Sequence, residues 1–149
     1  MAEPSEPNTP EATEVDNSAL RMSDSAATEQ EAMDARSFAI EAARLAADTR
    51  CAEVTIIDLR GLSSVADYFV IGTGTSDRQM RATLETIDKR AREVGRRAYR
   101  MAKPHDDTWL LSDYVDVMVH VFGPSWRSYY DLDGLWGDAP RVDWSPPVA

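Results

Sequence analysis

The chain has 149 residues, the length of one ordinary domain, and its 26 Asp and Glu against 16 Lys and Arg give a formal net charge of −10. So acidic a chain is a poor free-standing ligand for nucleic acid, where affinity comes largely from Lys and Arg displacing counterions, and its single cysteine, Cys51, excludes an internal disulfide or a cysteine-built zinc clamp. No run approaches the roughly 20 apolar residues of a membrane span and no basic-then-apolar start marks a secretory signal, so the expectation is a soluble, cytoplasmic protein.

The charge is uneven. Residues 1–35 hold nine acids and one base, leaving the remainder close to neutral. Residues 1–33 are rich in Pro, Glu, Ser, Thr and Ala with few large apolar side chains, too few to offset the entropy of ordering, and are predicted to be a disordered acidic tail. The folded domain is expected over 34–149. From Asp34 the residues Phe38, Ala42, Leu45 and Ala46 fall on one helical face, and this helix should end near Thr49. Glu53–Leu59 and Asp67–Ile71 read as strands around a turn at Gly61-Leu-Ser-Ser64. After Gly72-Thr-Gly-Thr75, Ser76 can cap a helix whose Met80, Leu84, Ile87, Ala91 and Val94 recur at steps of four and three until Gly95. Arg97–Ala102, Trp109–Leu111 and Val115–Phe122 read as three more strands, the last two joined by a turn at Ser112-Asp-Tyr114. Gly123-Pro124 then breaks into a helical segment dense in aromatics: Trp126, Tyr129, Tyr130 and Trp136. The order predicts an α/β fold, a five-stranded mixed sheet flanked by helices rather than a doubly wound dinucleotide fold. Within it, residues 78–103 carry nine bases and three acids, and residues 104–149 two bases and eight acids, so the domain is bipolar.

Two motifs bear on enzymatic readings. Gly72-Thr-Gly-Thr-Ser76 is a small-residue turn entering a helix, which could present N–H groups to a phosphate, but it is neither a P-loop nor a GxGxxG. Gly61-Leu-Ser-Ser-Val-Ala-Asp67-Tyr-Phe69 has the outline of a nucleotidyltransferase site. Two-metal chemistry needs carboxylates two residues apart on one strand face, and the partner position here is Phe69. A nucleotide-binding enzyme using Gly72–Ser76 and Asp67 is therefore the lesser alternative. His105, in a Lys-Pro-His-Asp-Asp loop, reads as solvated, and His120, in an alternating strand, as structural or interfacial. Asp116, Met118 and His120 share a strand face opposite the core valines, and Trp109, Asp113, Tyr130, Leu132 and Trp136 come from neighbouring segments. Aromatics interleaved with acids suit a protein interface with a basic partner.

The same residues carry a resemblance. The runs Gly61–Gln79, Trp109–Phe122 and Arg127–Pro140 together resemble the ribosomal silencing factor family, RsfS or Iojap-like, over roughly residues 36–144. The resemblance implies a nucleotidyltransferase-like fold without the catalytic carboxylate pair, no enzymatic activity and no cofactor. It also implies a translational repressor that binds the large ribosomal subunit through the basic, universal large-subunit ribosomal protein fourteen and blocks small-subunit joining, especially under nutrient limitation, with homodimerisation when free. Ser63, Ser64 and Asp67 then match the family's motif turn, and Trp109, Asp113, Asp116, Met118, His120, Tyr130, Leu132 and Trp136 are the expected partner-binding surface. Three departures stand out. Met101–Asp107 replaces a usual Glu-Gly pair, Val115 replaces the hairpin Gly and so demands another turn geometry, and Gly134 should weaken the terminal helix by about 1 kcal/mol.

Overall fold

The computed structural model describes residues 32–103 and 108–145, so the expected acidic tail up to residue 31, and His105 with its loop, lie outside the described residues. Helix α1 (Ala35–Asp48) starts where Asp34 accepts the Ser37 N–H at 2.8 Å. Its buried face is Phe38, Ala39, Ala42, Ala43 and Ala46, and the run of alanines lets the helix lie close on the sheet. Strands β1 (Ala52–Asp58) and β2 (Tyr68–Thr73) pair antiparallel, with a register shift between Ala52 and Thr55 where Glu53 takes a left-handed φ of 54°. Helix α2 (Asp77–Glu93) is capped by Ser76, whose hydroxyl accepts the Gln79 N–H at 3.1 Å, and ends before Gly95 at a φ of 82°.

The chain continues through β3 (Arg100–Ala102), β4 (Trp109–Asp113), β5 (Val117–Phe122) and two single-turn helices, α3 (Arg127–Tyr130) and α4 (Leu132–Leu135). The sheet order is β1-β2-β5-β4-β3, with β2 and β5 parallel at the centre and every other pair antiparallel, so the mixed five-stranded sheet read from sequence is the sheet that forms. The parallel central pair requires a long crossover, and α2, β3 and β4 supply it. None of the described helices is long and apolar enough to cross a membrane.

Every residue of β5 is buried, because both faces of the sheet are covered. Val117, Val119 and Val121 face the layer made by α1 and α2. On the other face Ile57, Leu59, Phe69, Ile71, Leu111, Met118, Phe122 and Ala139 form a second core, against which Trp109, Tyr130, Leu132 and Trp136 pack. That second layer is the chain after Gly123, folded back over the sheet.

Two turn expectations are corrected. The hairpin turn falls at Tyr114-Val115-Asp116 rather than at Ser112-Asp-Tyr114, since Ser112 and Asp113 belong to β4, and Val115 enters it in a left-handed conformation, φ 77°, while Asp113 Oδ1 accepts its N–H at 2.8 Å and holds the turn. Gly134 does not weaken a continuous helix, because the terminal segment breaks at Asp131, which sits at φ 49° and accepts the Gly134 N–H at 3.0 Å. A Cβ on Gly134 would lie 2.2 Å from Asp131 Oδ2, so the glycine makes room for the cap.

Candidate interaction surface

Pairing of β4 with β5 sets Trp109 opposite Phe122 and Leu111 opposite His120. Trp109 Nε1–H donates to His120 Nδ1 at 3.1 Å, and the Trp109 ring centroid lies 5.2 Å from Phe122 and 4.9 Å from Tyr130. Phe69 meets the His120 ring edge-to-face at 4.5 Å. His120 is 4% exposed, and burial pushes its pKa down to about 3, so it is a neutral ring inside an aromatic stack.

His120 and Met118 are therefore not surface side chains, contrary to the reading of β5 as having one face on the core and one toward a partner. Alternation along a strand reports two faces but not what covers the second one. Trp109, Tyr130, Leu132 and Trp136 are half-buried, with their inner edges in the second core. Asp113 and Asp116 lie at the opposite end of the hairpin, Asp113 being four residues from Trp109 along β4, about 13 Å. Both are engaged by arginines: Asp113 Oδ2 with Arg100 Nε at 3.4 Å, and Asp116 in a two-pronged pair with Arg96 at 2.6 and 3.2 Å. The predicted residues thus fall into an aromatic group under the C-terminal segment and an acidic pair that braces the hairpin.

Sequence reasoning missed the residue that holds this segment in place. Arg127, with its side chain 12% exposed, donates from Nε and Nη2 to the Asp133 carboxylate at 3.0 and 2.9 Å, from Nη2 to Thr55 Oγ1 at 3.1 Å, and from Nη1 to the Glu53 carbonyl. These bonds hold the Asp133 carboxyl below the usual range. The signal available was an Arg and an Asp six residues apart in an aromatic-rich segment, which no helical spacing rule selects. Further along, the Val142 N–H donates to the Ile56 carbonyl and Trp144 Nε1–H to the Val54 carbonyl, each at 3.0 Å, so residues 127–144 form a strap fixed along β1.

The outer side of the strap carries exposed apolar groups. Tyr129 is 72% and Leu135 70% exposed, and across from Leu135 lies Leu62, in the β1–β2 connection and 53% exposed. Leu62, Leu135, Trp136, Asp138 and Ala139 line a shallow pocket of about 220 Å³. Exposed Asp138 stands on its edge, while Asp131 belongs to a neighbouring polar cleft with Glu53, Arg127 and Asp133. This is an apolar anchor site with an acidic rim.

The motif turn is a structural connection. Ser63 Oγ accepts the Val65 N–H at 3.0 Å, Ser64 is exposed, and Asp67 acts through its backbone, its N–H donating to the Asp116 carbonyl at 2.8 Å. The Gly72–Ser76 turn is filled by its own chain. Gln79 Oε1 accepts the Thr75 N–H at 2.9 Å, and a Cβ on Gly74 would fall 2.2 Å from Met80 Cγ. The close approach explains the glycine without a phosphate. Among the described residues no group of three or more His, Cys, Asp or Glu is placed to hold a metal ion.

A family model described as ribosomal silencing factor during starvation matches residues 26–148. The chain is 41% identical over 111 residues to the ribosomal silencing factor RsfS of Bacillus subtilis, covering 74% of this chain and 94% of that protein. It is 28% identical over 109 residues to the chloroplastic protein Iojap of Arabidopsis thaliana, covering 71% of this chain and 44% of that one. A solved structure from Chromobacterium violaceum superposes with a TM-score of 0.66 at 28% identity, over 70% of this chain and 88% of that one. A second, from Bacillus halodurans, gives 0.58 at 33% identity, over 72% and 94%.

Proposed function

The chain belongs to the ribosomal silencing factor family, a family of translational repressors, and from that membership we propose that it binds the large ribosomal subunit through the basic ribosomal protein fourteen and keeps the small subunit from joining by occupying space. The observation that carries the contact is the Leu62, Leu135 and Trp136 pocket with its acidic rim on the outer side of the strap. Apolar anchors in a pocket supply most of the energy of a protein contact, and surrounding carboxylates favour a basic partner and speed encounter. Trp109, Tyr130, Leu132, Met118 and His120 serve by holding the strap, and Asp113 and Asp116 by holding the hairpin. The scaffold is read as nucleotidyltransferase-like without its paired carboxylates, since Phe69 in the second core occupies the position that a metal-binding pair would need. Repression by excluded volume needs no cofactor and no chemistry.

The test is cosedimentation with purified large subunits, followed by a joining assay with small subunits. Leu135→Asp places a charge on an exposed site without disturbing the core. It is expected to weaken large-subunit binding at least tenfold and to restore joining. Undiminished binding by Leu135→Asp and Leu62→Asp together removes this pocket from the contact.

A further inference from the structure

We propose that the exposed face of α2 is a contact for RNA phosphate backbone, a second point of attachment on the sheet face opposite the strap. It rests on the family reading for where the RNA comes from, though not for its chemistry. Helix α2 buries Met80, Thr83, Leu84, Ile87 and Ala91. Its solvent face carries Arg78, Arg81, Lys89 and Arg92, all exposed, with Ala82 and Glu85 between them. These cations form two pairs, each spanning about one turn and separated by about 12 Å of helix axis. A single carboxylate or small anion cannot satisfy both pairs, whereas a phosphate backbone presents charges at repeated intervals along such a length.

Arg78 and Lys89 have no carboxylate partner among the described residues. Arg81 and Arg92 are paired with Asp77 at 2.9 Å and Asp88 at 3.4 Å one turn away, but with side chains 52% and 59% exposed. Such surface pairs are weak enough for a phosphate to displace. An anionic membrane is a poorer fit, because an interfacial helix inserts an apolar face and the apolar face of α2 is in the core. The whole-chain charge argues against free-standing nucleic-acid binding. It does not argue against a local contact made once the protein is tethered, when effective concentration replaces intrinsic affinity.

The experiment compares the full chain with an Arg78→Ala, Lys89→Ala, Arg92→Ala variant, checked for folding by circular dichroism. The probes are a short RNA duplex at low salt, free ribosomal protein fourteen, and purified large and small subunits across a salt series. The wild type is expected to bind the duplex weakly and the variant at least tenfold more weakly, with binding to the free ribosomal protein unchanged. On intact particles the slope of log affinity against log salt should fall by about two to three. The subunit showing that change identifies whose RNA is touched. Equal duplex binding by both proteins, or no duplex binding by the wild type, overturns the inference. So does a matching loss on the free ribosomal protein, which would make the stripe a protein contact. Retained duplex discrimination with no binding to large subunits or to the free protein would instead reject the proposed docking and leave the RNA contact standing.

Discussion

Val115 occupies a conformation that suits glycine. A β-branched residue at a φ of 77° meets its own carbonyl across Cβ, and the Asp113 side chain together with the β4–β5 ladder must hold it there. Val115→Gly is expected to stabilise the domain by about 1 kcal/mol, read as a higher denaturant midpoint at unchanged slope. His120 predicts an acid sensitivity. Its pKa is near the ordinary 6.5 in the unfolded chain and about 3 when folded, so on acidification the unfolded state takes the proton first. Its contribution is intact above pH 6.5 and is lost progressively down to about pH 3, amounting to roughly 2 kcal/mol at pH 5. His120→Gln, which cannot be protonated, should flatten the stability profile between pH 7 and 5 even if it lowers the plateau. An equally steep profile in the variant would assign the acid sensitivity to other groups. Both residues were visible in the sequence, but Val115 as a turn of another shape and His120 as a candidate contact. A dihedral angle and a covering layer are tertiary facts that residue type does not encode.

Among the elements, the strap depends on a few polar bonds for its position. Removing one side of the Arg127–Asp133 pair leaves the other partner's charge half-buried without compensation, and breaking such a pair typically costs about 3 kcal/mol when fully buried. For this partly exposed pair the expected loss on Arg127→Met is about 1–2 kcal/mol, expressed locally. Backbone amides of 130–142 should exchange faster with solvent deuterium while those of β5 keep their protection. Uniform acceleration would mean that strap and sheet open together. The helices α1 and α2 and all five strands were legible because their periods of 3.6 and 2 and their caps are local signals. The strap was legible only as aromatic density. Its two single turns, its left-handed joint at Asp131 and its anchorage to β1 are set by contacts with residues some 70 positions earlier, as in the 3.1 Å bond from Arg127 to Thr55.

For the molecule as a whole, the bipolar charge read from sequence acquires a direction. The basic residues from Arg78 to Arg92 lie on α2 and the acids Asp131, Asp133 and Asp138 on the strap, on opposite sides of one sheet, while Asp113 and Asp116 of the hairpin pair with Arg100 and Arg96 of the basic run. The residues that make the proposed contacts all lie within 34–145. Deleting residues 1–31, which contribute most of the net negative charge, is therefore expected not to weaken cosedimentation with large subunits. A loss of more than threefold would assign the tail a contact of its own. The family was legible because its three motif runs are long. The site was legible only in part, because aromatic residues that fasten the strap and those that face outward from it are the same residue types in the same runs. The chain's four tryptophans, Trp109, Trp126, Trp136 and Trp144, all belong to the strap or to the stack beneath it, and the first hundred residues contain none. The protein consequently carries a built-in optical probe: Trp136 lines the proposed docking pocket, so a partner that settles there can be followed by a change in intrinsic emission without a label, while one that touches α2, which has no tryptophan, leaves the emission unchanged.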